Sequence, residues 1–272
     1  MTSRSAAQRP APSPSRGRAG SAAVPLTIIG AIALSLASDE GRPVLAVTVL
    51  AVQLALLAGW FVALDLRRVL PAQLAAVAAV AAVDVVVLRA PLDPIPVVAV
   101  VLGLVPLAGV VAQLASRDRS RMTTVLSATV AAVTCSAGVA ASLALHAREA
   151  GAWALSVAFA AAAVAAAPLL FAGRLPLAVL LGLMCVPPVL VGGLLAAGTA
   201  VSWPVGAALG GVTGVATAAV ASALGRGLRS TDGRAQFAER DRPQGAAVVL
   251  LRAALPLSLA APLAYAVSLA MA

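Results

Sequence analysis

The chain has no lysine, no asparagine and a single histidine, and its aromatic residues number only three Trp, four Phe and one Tyr. Charged residues make up 11% of it, where a soluble domain uses about a quarter to cover its surface. That shortage excludes a water-soluble globule of 272 residues. Scarce aromatics leave little to stack on bases, so the net charge of +9 does not point to nucleic acid. The two cysteines, Cys135 and Cys185, lie deep in apolar runs without CxxC or Cys/His spacing. They read as small packing residues, not as a disulfide or a zinc site. There is no GxxxxGK[ST], HExxH or GxSxG, and no GxGxxG at a strand–helix junction. Nucleotide motors, metalloproteases and serine hydrolases therefore have no support.

What remains is apolar: 61% of the residues, with a mean hydropathy of +1.02. Lipid must be the main solvent, and in lipid the backbone has to satisfy its own hydrogen bonds. Because barrel-type alternation is absent, the expected fold is an all-α polytopic membrane protein. Nine apolar runs are expected to span: 23–38, 43–64, 70–88, 91–115, 122–145, 151–172, 175–197, 202–224 and 245–271. Most have about the 20 residues that cross ~30 Å of hydrocarbon. The first is short and follows a basic tail, so a signal peptide is the alternative to an uncleaved helix. The uncleaved helix is preferred. Residues 1–22, rich in Ser, Arg, Pro and Gly, can bury no core and are expected to be disordered. Residues 23–272 then form one transmembrane domain.

All nineteen basic residues are arginine. Using no lysine or asparagine codons suggests a GC-rich, bacterial genome and hence a bacterial inner membrane. With the N-terminus in the cytoplasm, inside segments hold fifteen arginines and outside segments three (Arg42, Arg89 and Arg148); Arg252 falls within the ninth run. The positive-inside rule expects this bias. The reading is nine helices with the N-terminus cytoplasmic and the C-terminus outside.

A few residues stand out against this background. Asp84 is the clearly intramembrane acid, and a buried carboxylate is costly unless paired, protonated or hydrated. Counting from the start of its run places it in the outer third, within reach of water. Gln53 and Gln73 are candidates for interhelical hydrogen bonds. His146, beside Arg148 and Glu149, reads as an interfacial histidine, and no metal site is expected. Gly206, Gly210 and Gly214, followed by Ala218 and Ser222, recur every four residues and mark a close helix–helix contact. Pro187 and Pro188 are expected to kink their helix. Arg117, Arg119 and Arg121 form a compact cationic turn able to meet a phosphate or to anchor topology.

The longest polar stretch after residue 22, "GRGLRSTDGRAQFAERDRPQGA" (225–246), carries Arg226, Arg229, Arg234, Arg240 and Arg242. It separates the small-residue run "GGVTGVATAAVASAL" (210–224) from "LRAALPLSLAAPLAYAV" (251–267). That sequence of elements resembles the CDP-diacylglycerol synthases, the phosphatidate cytidylyltransferase family, over about sixty residues. The resemblance implies a compact bundle of about nine helices with a basic cytoplasmic loop, 225–244, ahead of the last span. It would also imply Mg²⁺ and CTP at paired acids. Here the chain departs from the family. Aligned on Pro262–Tyr265, Arg252 and Leu255 stand where those acids belong; aligned on Asp241-Arg242, Gln244 takes the second acid's place. Asp232, Glu239 and Asp241 do not have the spacing, and the loop has no histidine. The resemblance thus implies the scaffold without the activity and without a cofactor. The expected role is contact with anionic membrane lipids, or with a copy of itself or a membrane protein partner. A transporter or flippase using Asp84 is the alternative, and a diverged cytidylyltransferase a further one.

Overall fold

The computed structural model describes residues 16–63, 70–89, 100, 103–104, 122–148, 151–171, 175–197, 202–227 and 242–270. Among these the fold is all-helical. Its helices are α1 (Arg16–Glu40), α2 (Arg42–Ala63), α3 (Leu70–Arg89), α4 (Met122–His146), α5 (Gly151–Ala166), α6 (Leu177–Ala197), α7 (Trp203–Gly227) and α8 (Arg242–Ala270). All eight are long and apolar enough to cross a membrane once the 3-10 turn Ala167–Phe171 is added to α5. The expected span 91–115 lies largely outside the described residues.

Local chemistry sets several of the helix ends. One residue, Gly41, joins α1 to α2 at φ +116°, a backbone angle that favours glycine. Its carbonyl accepts from Leu45 N at 3.1 Å and so opens α2. The Ser202 carbonyl does the same for α7, accepting from Val205 N at 3.0 Å. In α5 the α-ladder stops at Ala166 and tightens into 3-10. Pro168 explains the change, since it has no N–H for an i→i−4 bond. α1 starts at Arg16, seven residues ahead of the apolar run, so residues 16–22 of the expected disordered tail are helical. Hydropathy does not register a helix that continues beyond the membrane.

α8 packs against α1, α2, α4, α5 and α7, and α6 pairs closely with α7. The main core joins Leu34 of α1, Leu45 and Val49 of α2, Leu143 and Leu145 of α4, Leu155 and Phe159 of α5, and Leu257 of α8. At the opposite end a second cluster joins Phe61 of α2, Ala72 of α3 and Val125 of α4. α3 and α4, neighbours in the described chain, therefore run parallel, with Arg89 and Met122 at opposite ends of the bundle. Large apolar side chains point outward, among them Val47 and Leu194, each 70% exposed. Such a surface suits hydrocarbon and not water.

Lipid tails are as apolar as leucine, so burial alone does not hold these helices together; packing and interhelical hydrogen bonds do. The α6–α7 seam shows the packing. Gly206 and Gly210 of α7 lie directly against the backbone carbonyls of Gly192 and Pro188 of α6, and a Cβ on Gly214 would stand 2.8 Å from the Met184 carbonyl. That carbonyl is the one Pro188 cannot bond, because proline has no N–H. α6 continues as helix through Pro187 and Pro188. The alanine-rich α5 fills a different gap, burying Ala158, Ala161, Ala162, Ala165 and Phe159.

Candidate functional site

Each of three helices brings one polar residue to the same buried place. Gln53 is the twelfth residue of α2 and so lies near the helix midpoint, ~16 Å from either end at 1.5 Å per residue. Its side chain is fully buried, and Nε2 donates to Asp84 Oδ1 of α3 at 2.9 Å and to the Ser136 carbonyl of α4 at 3.1 Å. Asp84 is 8% exposed and Ser136 fully buried. Sequence position alone puts Asp84 in a water-reachable outer third. In the fold it is instead enclosed between α2, α3 and α4, because neighbouring helices cover the face that a linear count leaves open. Among the described residues it has no ion pair. Gln53 Oε1 and Ser136 Oγ are buried without a hydrogen-bond partner, an uncommon state for polar atoms in a folded interior. Gln53 thus makes the expected interhelical bonds, while Ser136 was not legible as a partner. Serine is common in this chain, and nothing in its spacing separates Ser136 from Ser142, whose hydroxyl bonds the Val139 carbonyl within its own helix.

Cationic side chains gather at the Gly41 end of the bundle. Arg42 Nη2 donates to the carbonyls of Val87 and Leu88 at 3.0 and 2.8 Å. These belong to the last turn of α3, whose carbonyls have no helical donor and which carries partial negative charge. Arg148 Nη2 donates to Tyr265 Oη at 3.3 Å, and its guanidinium lies 4.9 Å from the centre of that ring. His146 is within the electrostatic reach of both Arg42 and Asp39. These groups fasten α2 to α3 and the α4–α5 turn to α8. Arg42→Ala should lower stability by about 1–2 kcal/mol, toward the low end for charge-assisted hydrogen bonds because the side chain is only half-buried. Arg42→Lys should fall between, since an ammonium lacks the guanidinium fork. Thermal unfolding of the purified protein in detergent checks the order.

The other sequence candidates are placed only in part. Arg117, Arg119, Arg121, Arg229, Arg234 and Arg240 lie outside the described residues. Arg226 belongs to the last turn of α7, and Arg242 is the first residue of α8. Cys135 and Cys185 are free and half-buried on α4 and α6. Among the described residues no group of three or more His, Cys, Asp or Glu gathers.

These observations define a class, a multi-pass helical membrane protein with a polar contact buried in its interior. Comparison with family models, with curated proteins and with solved structures finds no match.

Proposed function

We propose that the protein is a non-catalytic bacterial inner-membrane scaffold that gathers anionic lipid headgroups on an arginine-rich cytoplasmic face. One observation supports this most. The ends of α2 at Ala63, α3 at Leu70, α4 at Met122, α7 at Gly227 and α8 at Arg242 lie on one side of the bundle. In sequence, the segments that join or adjoin these ends contain Arg67, Arg68, Arg117, Arg119, Arg121, Arg229, Arg234 and Arg240. The opposite side carries Arg42, Arg89 and Arg148. By the positive-inside rule the arginine-rich side faces the cytoplasm. The opposite placement of Arg89 and Met122 supports the count of nine spans. Each arginine near an anionic surface contributes about 1 kcal/mol.

Changing Arg226, Arg229, Arg234, Arg240 and Arg242 together to glutamine should lower, several-fold, the ratio of phosphatidylglycerol to phosphatidylcholine retained on purification from mixed micelles. An unchanged ratio would remove the main support for the reading. So would turnover of CTP and phosphatidic acid with Mg²⁺, because the proposed scaffold is inert.

A transporter or flippase is favoured by a different observation, the carboxylate enclosed between α2, α3 and α4. Intramembrane acids commonly mark solute or proton routes. Under this reading, uptake or lipid scrambling in liposomes disappears with Asp84→Asn.

A further inference from the structure

We infer that Gln53, Asp84 and Ser136 form a binding site for a small monovalent cation of the sodium type, held by oxygen atoms from α2, α3 and α4. The geometry around the Gln53 amide carries this. Its Nε2 stands 2.9 Å from Asp84 Oδ1 and 3.1 Å from the Ser136 carbonyl oxygen. Oxygens that share a hard cation at 2.3–2.6 Å stand roughly 3–3.7 Å from one another. The amide position is therefore spaced as a third ligand beside those two oxygens. Gln53 ends in a carbonyl and an NH₂ of nearly equal size, and half a turn about the last bond exchanges them. With the NH₂ inward, as here, it donates to both oxygens and Oε1 is left buried without a partner. With the carbonyl inward, the Gln53, Asp84 and Ser136 oxygens would stand together, and a bound cation or a proton on Asp84 would reconcile them. Ser136 Oγ, also buried and unpartnered, is the candidate for a fourth oxygen that the Ser136→Ala variant tests.

Charge decides the class of ion. Asp84 brings one negative charge, and among the described residues it belongs to no group of three or more His, Cys, Asp or Glu. Calcium sites commonly use several carboxylates, and magnesium keeps most of its water. One carboxylate surrounded by neutral oxygens matches one positive charge. A proton on Asp84 would also neutralise it and could donate to a turned Gln53 carbonyl, so the two readings are separated by the response to sodium at fixed pH. Enclosure by three helices lowers the local dielectric, which strengthens the attraction between a paired ion and the carboxylate. The site depends on neither the lipid-scaffold nor the transport reading. A sodium response without liposome uptake would separate ion binding from transport.

The test is thermal unfolding of the full chain in detergent, at fixed pH and ionic strength, with sodium exchanged for N-methyl-D-glucamine. Sodium should raise the apparent midpoint saturably, on the order of 3–6 °C when in large excess over its Kd. Asp84→Asn should abolish the rise, and Ser136→Ala should shift the half-saturating concentration upward about tenfold. Direct binding of radioactive sodium should follow the same order. An identical wild-type midpoint in sodium and N-methyl-D-glucamine overturns the site, whether or not the variants fold. A sodium response that survives in Asp84→Asn overturns it too. A midpoint that moves with pH but not with sodium assigns the carboxylate a proton and rejects the ion.

Discussion

Replacing Gly210 by leucine should separate α6 from α7 and lower the apparent unfolding midpoint on the order of 10 °C. The cause is backbone against backbone. A Cβ at position 210 would fall on the Pro188 carbonyl, with Val189 Cα 3.2 Å away. Neither is the free end of a side chain that can turn aside, so the helices themselves must move. Overpacking of this kind costs about 3 kcal/mol or more. The same displacement would pull Gly206 from the Gly192 carbonyl and Gly214 from the Met184 carbonyl, so one residue disturbs the whole seam. Gly182, also on α6, supplies the control because a Cβ there meets nothing within 4 Å. Gly182→Leu should change stability by no more than about 0.5 kcal/mol. Equal effects at the two positions would mean that helix propensity, not close approach, governs the response.

The two glycines also show what a sequence makes legible in this protein and what it leaves out. A four-residue repeat of small residues marks Gly206, Gly210 and Gly214 as a contact stripe, but the stripe does not name its partner. The α6 residues that face it, Met184, Pro188, Gly192 and Ala196, also recur every four residues. Two prolines in that helix draw attention to kinking and away from the regular spacing. Span limits were legible because hydrocarbon demands unbroken apolar length. The expected 43–64, 70–88 and 122–145 differ by no more than one residue at either end from the observed α2, α3 and α4. Rotation about each helix axis was not legible, because helices that are apolar all round carry no amphipathic signal to say which face turns inward. That is why Asp84 and Gln53 could be marked separately, as a costly acid and a candidate hydrogen bonder, without their meeting being foreseen. Arg42 is a similar case. From sequence it counts as one of three arginines on the minority side, and only the fold shows its guanidinium capping α3.

The meeting of Gln53 and Asp84 predicts a result with a definite sign pattern, best measured in sodium-free buffer. Gln53→Leu strips the Asp84 carboxylate of its amide donor in a site that water does not readily replenish. The cost should be about 3 kcal/mol, because an unsatisfied charged group loses more than a neutral one. Asp84→Leu leaves Gln53 Nε2 with only the Ser136 carbonyl and should cost about 1–2 kcal/mol. The double variant Gln53→Leu/Asp84→Leu removes both groups and substitutes apolar volume. It should lie within about 1 kcal/mol of wild type, giving a coupling of roughly 3–5 kcal/mol, at or above the upper end for residues in direct contact. Asp84→Asn separates charge from hydrogen bonding. Its carbonyl still accepts from Gln53 while the charge is gone, so without sodium it should be at least as stable as wild type. Adding sodium should stabilise wild type alone and close that gap. Additive single variants would show that the 2.9 Å contact contributes nothing. A destabilised Asp84→Asn would show that the buried charge is compensated by a group other than Gln53, and would send the search for the ion's counter-charge elsewhere in the bundle.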